Sequence, residues 1–100
     1  MKSETFGKYI RRIREEQKLP LRKVAAYLDI DTSTLSKVER NDRPASPEYL
    51  KPLSEILNLD LKEVQSKFIA DKINKDFGDM EHLSDGLKAA TEQQINKRKK

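Results

Sequence analysis

The residue types that could do chemistry in this chain are concentrated in residues 21–40. The apolar residues of segment 24–28 have helical spacing, and Leu35 and Val38 indicate the buried face of a second helix after a short break. The opposite face of that second helix is small and polar and carries one cation. Such a face suits the floor of a DNA groove, where its side chains can bond to bases. Its members are Thr32, Ser33, Ser36 and Lys37.

The composition limits the protein to one small domain with a small core. The 100 residues are 38% charged and 35% hydrophobic, and 21 Lys and Arg against 17 Asp and Glu give a formal net charge of +4. This mild positive bias is compatible with nucleic acid as a partner. The absence of cysteine excludes disulfides and thiolate metal sites. No apolar run has membrane length and no signal peptide is evident, so we expect a cytoplasmic protein with no membrane partner.

The sequence offers little for catalysis. Nucleophilic catalysis needs a nucleophile beside an oriented base, and the sole histidine is His82, near the C-terminus. Asp79 and Glu81 lie beside it, but one histidine with scattered carboxylates falls far below the specificity of a metal site. We therefore expect no enzyme, no catalytic residue, no metal and no cofactor.

From residue 6 to about residue 64, the sequence resembles the phage-repressor/Cro-type helix-turn-helix proteins, the XRE family. The segments that carry the resemblance are residues 10–14 (IRRIR), 24–28, Ile30, 34–40 (TLSKVER), 43–44 and 53–59. It implies an all-α fold: a five-helix repressor-like helix-turn-helix domain followed by one or two C-terminal helices. We place the DNA-binding domain in residues 1–60, a helical extension in residues 61–96 and a disordered basic tail in residues 97–100.

The resemblance also implies roles for individual residues. In the family, an arginine of the first helix pairs with a glutamate near the end of the recognition helix, and these positions map onto Arg14 and Glu39. The base-reading positions map onto Thr32, Ser33 and Lys37, with Ser36 as a neighbour. Where the family often has glycine, this chain has Asp29 and Asn41, two residue types that tolerate a left-handed backbone. We assign DNA phosphate contacts to Arg22, Lys23, Arg40 and Arg43.

Several residues are expected to shape the helix ends. Asp31 and Ser46 are candidate N-caps, and Asp60 with Glu63 forms a pattern similar to a capping box. Asp79 is a candidate cap for a sixth helix. Pro52 lies inside the fourth predicted helix, which it should bend.

The two C-terminal helices each carry an apolar stripe that something must cover. An antiparallel hairpin, a two-fold dimer, or packing onto the DNA-binding core would each do so. Residues 62–76 also resemble the dimerisation helix of small repressors and of restriction–modification controller proteins. We expect a homodimer, and the residues assigned to it are Val64, Phe68, Ile73 and Phe77.

These observations favour a sequence-specific DNA-binding transcriptional regulator, dimeric on a pseudo-palindromic operator. Double-stranded DNA is the expected partner, and no small-molecule effector is evident. The alternative is an antitoxin-like or accessory protein that uses the helix-turn-helix scaffold to bind another protein. The sequence indicates neither the operator, nor the regulated genes, nor whether transcription is repressed or activated.

Overall fold

The computed structural model describes residues 4–98, and within that range the fold is all-α, as the sequence predicts. Six α-helices follow one another, with a short 3₁₀ turn at Pro47–Tyr49 before the fourth. The helices are α1 (Phe6–Glu16), α2 (Leu21–Tyr27), α3 (Thr32–Glu39), α4 (Leu50–Ile56), α5 (Leu61–Phe77) and α6 (Leu83–Arg98).

The N-terminal caps form at some of the predicted positions only. The Asp60 carboxylate accepts a hydrogen bond from the Lys62 backbone N–H at 3.0 Å, as predicted for α5. Asp31 occupies the N-cap position of α3 and Ser46 that of the 3₁₀ turn, but neither side chain makes the capping hydrogen bond. Asp79 is too far from α6 to cap it, because that helix begins only at Leu83.

Pro52 does not bend the middle of a helix, contrary to expectation. It is the third residue of α4, which follows directly on the 3₁₀ turn. Backbone N–H groups in the first turn of a helix lack an intrahelical partner, so a proline there removes little.

Four helices end in the same way, with a non-glycine residue in the left-handed conformation. Asp29 (φ 59°) and Asn41 (φ 66°) do so at the positions that the family resemblance indicated. Lys18 (φ 57°) and Asn58 (φ 54°) do the same after α1 and α4. In each case the next residue donates its N–H to a carbonyl five residues earlier, as Ile30 does to Ala25 at 3.0 Å. This pairing is the Schellman motif, which satisfies carbonyls left free at the helix end.

The hydrophobic core extends beyond residue 60, the boundary expected from the sequence. Val64 on α5 is fully buried, and Phe68 packs edge-on against Phe6 with ring centroids 5.5 Å apart. The first half of α5 is therefore part of the core. The other buried hydrophobic residues are Tyr9, Ile10, Val24, Ala25, Leu28, Leu35, Val38, Leu50, Leu53 and Leu57.

The C-terminal end of the described chain is helical. Helix α6 continues through Lys97 and Arg98, so the disordered tail expected from residue 97 is wrong for these two residues. Lys99 and Lys100 lie outside the described residues. No residue of α6 is buried, in contrast to every other α-helix of residues 4–98.

Gly7 permits α1 to lie directly against the end of α3. A Cβ atom at this position would lie 2.2 Å from the Val38 carbonyl oxygen and 2.8 Å from that of Glu39. Both neighbours are backbone atoms, which cannot move without shifting α3. The side chain of any other residue would therefore force the two helices apart.

We predict that Gly7→Ala lowers the free energy of unfolding by at least about 2 kcal/mol, because overpacking a close backbone contact costs about that much. The matched control is Gly86→Ala in α6, where a Cβ would meet no atom within 4 Å. That change should not destabilise the core, since alanine favours a helix over glycine. Urea unfolding followed by circular dichroism compares them, and equal midpoints for both variants would contradict the close approach.

Tyr9 joins α1 to α5 through a buried hydroxyl group. Its ring is 1% exposed, and its hydroxyl donates to the Glu63 carboxylate at 3.1 Å. Glu63 thus bonds to α1 rather than completing the predicted capping box. Burial, together with the hydrogen bond to Glu63, raises the pKa of Tyr9 from 10.0 to about 12. The folded state therefore holds this proton more tightly than the unfolded chain does.

The raised pKa predicts a loss of stability at alkaline pH. Tyr9 contributes its full stabilisation below pH 10.0, and this contribution falls as the pH rises towards about 12. The loss should be about 2–3 kcal/mol, since each pKa unit corresponds to about 1.4 kcal/mol. Urea unfolding across this range should give a shallower decline for Tyr9→Phe than for the parent. Parallel declines would show that Tyr9 does not carry the effect.

Candidate nucleic-acid interface

Helices α2 and α3 form a helix-turn-helix whose second helix presents a polar face to solvent. Helix α3 packs against α1 and α2, and Leu35 and Val38 are buried on that side. On the opposite side Thr32, Ser33 and Lys37 are exposed, whereas Ser36 is half-buried. We call these four residues the outer face of α3. The structure thus places the base-reading candidates on one surface, with Ser36 at its edge.

The cations predicted to contact phosphate come from the segments before and after α3. Arg22 and Lys23 are exposed in the first turn of α2, and Arg43 is exposed in the loop after α3. None of these three, nor Lys37, forms an ion pair with another residue in the described part of the chain. Arg40 differs, since its Nε lies 3.2 Å from the Asp42 carboxylate.

Arg14 and Glu39, which the family resemblance paired, meet beneath the outer face. Arg14 Nε and Nη2 donate to the two carboxylate oxygens of Glu39 at 2.8 and 3.0 Å. A third hydrogen bond joins Arg14 Nη1 to the Leu19 carbonyl oxygen at 2.8 Å. The side chains are only 12% and 4% exposed. The hydrogen bonds to Glu39 raise the pKa of Arg14, so its guanidinium stays charged despite desolvation.

We predict that Glu39→Gln destabilises the fold by about 3 kcal/mol or more, because it leaves the Arg14 charge largely buried without a counter-charge. Glu15→Gln is the matched control, since it removes the same charge from an exposed pair with Arg11 at 3.3 Å. The control should change stability by less than about 1 kcal/mol. Chemical unfolding of both variants measures the difference, and a Glu39 effect as small as the Glu15 effect would contradict the prediction.

A contact that the sequence did not indicate joins α5 to the end of α3. The Lys75 ammonium group donates to the side-chain oxygen of Asn41 and also lies 2.8 Å from the Asp71 carboxylate. Asn41 is the left-handed residue that ends α3, so Lys75 fixes the start of the loop that carries Arg43. The only sequence signal was the helical spacing of Asp71 and Lys75, which shows a pair within α5 and not a contact with α3.

The residues assigned to dimerisation do not form one surface. Val64 is completely buried inside its own chain, so it cannot contact a second one. Phe68 is partly buried and packs on the same core. The assignment of Val64 is therefore wrong, whereas that of Phe68, which α1 covers only in part, stays a prediction. Ile73 and Phe77 lie further along α5 and line an open groove beside α6.

Comparison with known protein families matches residues 10–64, more than half of the chain, to a helix-turn-helix family. The chain belongs to the XRE-type helix-turn-helix family. Comparisons with curated proteins and with solved structures gave no match. In helix-turn-helix domains the second helix of the pair contacts base edges, and in this chain that helix is α3. Family membership therefore makes DNA the expected partner.

Two further observations concern other kinds of site. No three His, Asp or Glu side chains group together as metal ligands within residues 4–98, and His82 is 79% exposed. No helix in the same range is long and apolar enough to cross a bilayer.

Proposed function

We propose that this protein is a sequence-specific DNA-binding transcriptional regulator that acts in the cytoplasm as a homodimer on a pseudo-palindromic operator. The observation that carries the proposal is the outer face of α3, which is polar, exposed and held at the recognition position of a helix-turn-helix domain. A role like that of restriction–modification controller proteins is supported only by the resemblance of residues 62–76 to their dimerisation helix.

The side chains of the outer face suit hydrogen bonding in the major groove. Lys37 is the only cation among them and can donate to O6 or N7 of guanine. Thr32 and Ser33 can bond to bases or phosphates, and the threonine methyl can contact that of thymine. Because Ser36 is half-buried, we give it a secondary role.

Phosphate contacts would come from the cations around this face. Arg22 and Lys23 approach the backbone from α2, and Arg43 approaches it from the loop after α3. Arg40 is paired with Asp42, but both side chains are more than half exposed, and such pairs are weak enough for a phosphate to displace. We count about three phosphate contacts per subunit.

We predict that Lys37→Glu weakens binding to the operator by on the order of 100-fold or more. Each subunit of the dimer would lose about 1–3 kcal/mol of base contact, and the new carboxylate would repel the DNA. The measurement is fluorescence anisotropy with the DNA upstream of the protein's own gene and a scrambled duplex. The control variant is Lys62→Glu, which makes the same charge change in the first turn of α5. Equal losses for the two variants would indicate only a general charge effect.

The same titration over a salt series tests the phosphate contacts. With six contacts per dimer, the logarithm of the binding constant should fall with the logarithm of salt concentration at a slope of about −5. A slope shallower than about −2 would contradict the dimer and its phosphate contacts together. Equal, weak binding to both duplexes would argue against sequence-specific recognition of this upstream DNA.

An antitoxin-like or accessory role in binding another protein is the second candidate. It is favoured by exposed apolar side chains in α5 and in the turn before α6, among them Phe77 and Met80, which are 47% and 62% exposed. In that case Lys37→Glu would leave the function intact, whereas polar substitutions in the C-terminal helices would abolish it.

A further inference from the structure

An open apolar groove lies between the second half of α5 and α6. Its larger part, about 560 Å³, lies near the turn between the helices and is lined by Ile73, Phe77, Met80, Leu83, Leu87 and Ala90. It continues along α6 as a space of about 340 Å³ that reaches Ile95 and Arg98. We call the two parts together the α5–α6 groove.

Several large apolar side chains along this groove are exposed to solvent. Phe77, Met80, Leu87 and Ile95 are each between 39% and 62% exposed. Because no residue of α6 is buried, the helix gains little from packing on its own chain, although packing is the main source of helix stability in proteins. The radius of gyration, 15.3 Å, also exceeds the roughly 13 Å typical of 100 residues. No segment of residues 4–98 therefore covers this groove.

The two ends of the groove carry opposite charges. Glu81 lines the end near the turn, and Arg98 lines the far end of α6. These side chains cannot pair within one chain, since the 16 residues of α6 span about 24 Å. A second α6 lying antiparallel in the groove would bring its Arg98 to this Glu81, and the reverse contact would form by symmetry. Such reciprocity is the property of a two-fold interface.

We propose that a second copy of this chain covers the α5–α6 groove, its α6 lying antiparallel to the first about a two-fold axis near Ala90. The small side chain of Ala90 allows the two helices to approach closely at the axis. Leu87 of each chain then packs beside the axis, and Arg98 faces Glu81 of the second copy at each end. This inference deepens the proposed dimer by naming its surface, which excludes Val64 and Phe68.

The oligomeric state without DNA tests the surface directly. Sedimentation velocity over a concentration series should give twice the chain mass for the parent and one chain mass for Leu87→Lys. Leu87 is 39% exposed within the chain, so this variant should still fold, as circular dichroism would verify. The control Glu92→Lys adds a lysine to α6 outside the groove and should remain dimeric. A parent that sediments as a monomer throughout, or a dimeric Leu87→Lys, would overturn the proposal.

A charge exchange tests the antiparallel register. Glu81→Lys and Arg98→Glu should each raise the dimer dissociation constant roughly ten-fold, because like charges then face each other at both ends. Combining both substitutions in one chain should restore the dissociation constant of the parent. A double variant as weak as either single variant would overturn the antiparallel arrangement.

The dimer tests are made without DNA, so the proposed dimer surface and the proposed DNA contacts can be disproved independently of each other. If the parent is monomeric but still binds its operator through Lys37, the groove has a different occupant and the DNA-contact assignment stands. If the groove pairs as proposed but Lys37→Glu has no effect on DNA, the recognition surface is wrong and the dimer surface stands.

Discussion

The position of α3 depends on the buried ion pair between Arg14 and Glu39. A carboxylate that is 4% exposed is costly to bury, and here one guanidinium group donates a hydrogen bond to each of its two oxygens. The third donor of Arg14 holds the Leu19 carbonyl, so the pair also fixes the turn that leads into α2. One interaction thereby sets α1, α2 and α3 relative to one another. Gly7 completes the constraint by allowing α1 to contact the last carbonyls of α3.

The helix ends show how one local motif can serve two purposes. After α1, α2 and α4, the residue that follows the left-handed position is Leu19, Ile30 or Leu59, and each packs against the core. After α3 the corresponding residue is the exposed Asp42. The usual Schellman motif adds an apolar contact that draws the chain inward. Its absence after α3 leaves the loop with Arg40 and Arg43 at the surface, where a phosphate backbone can reach it.

The sequence predicted the parts of the structure that are governed by local patterns. Helical spacing indicated the buried faces of α2 and α3, and the family resemblance placed Asp29, Asn41 and the pair Arg14–Glu39. The spacing could not show that Gly7 touches α3, that Tyr9 reaches Glu63 or that Lys75 reaches Asn41, because these contacts join residues far apart in the chain. The left-handed residues Lys18 and Asn58 also escaped prediction, since the family resemblance marked neither position. An apolar residue directly after each of them was the available signal.

The error over Val64 has the same origin, and it shows that the two halves of α5 have different surroundings. An apolar stripe shows that a helix face needs a cover, but it does not show whether the cover is the same chain or another. In the structure the stripe is covered unevenly along its length: α1 packs on it at Phe68, whereas Phe77 remains 47% exposed. Lys75 binds Asn41 between these two regions. Because α5 is one continuous helix, it connects the groove to the core at Phe68 and, through Lys75, to the end of α3. A second copy seated there would fix the separation of the two outer faces, and DNA recognition by a helix-turn-helix dimer requires such a fixed separation, about 34 Å for half-sites one helical turn apart.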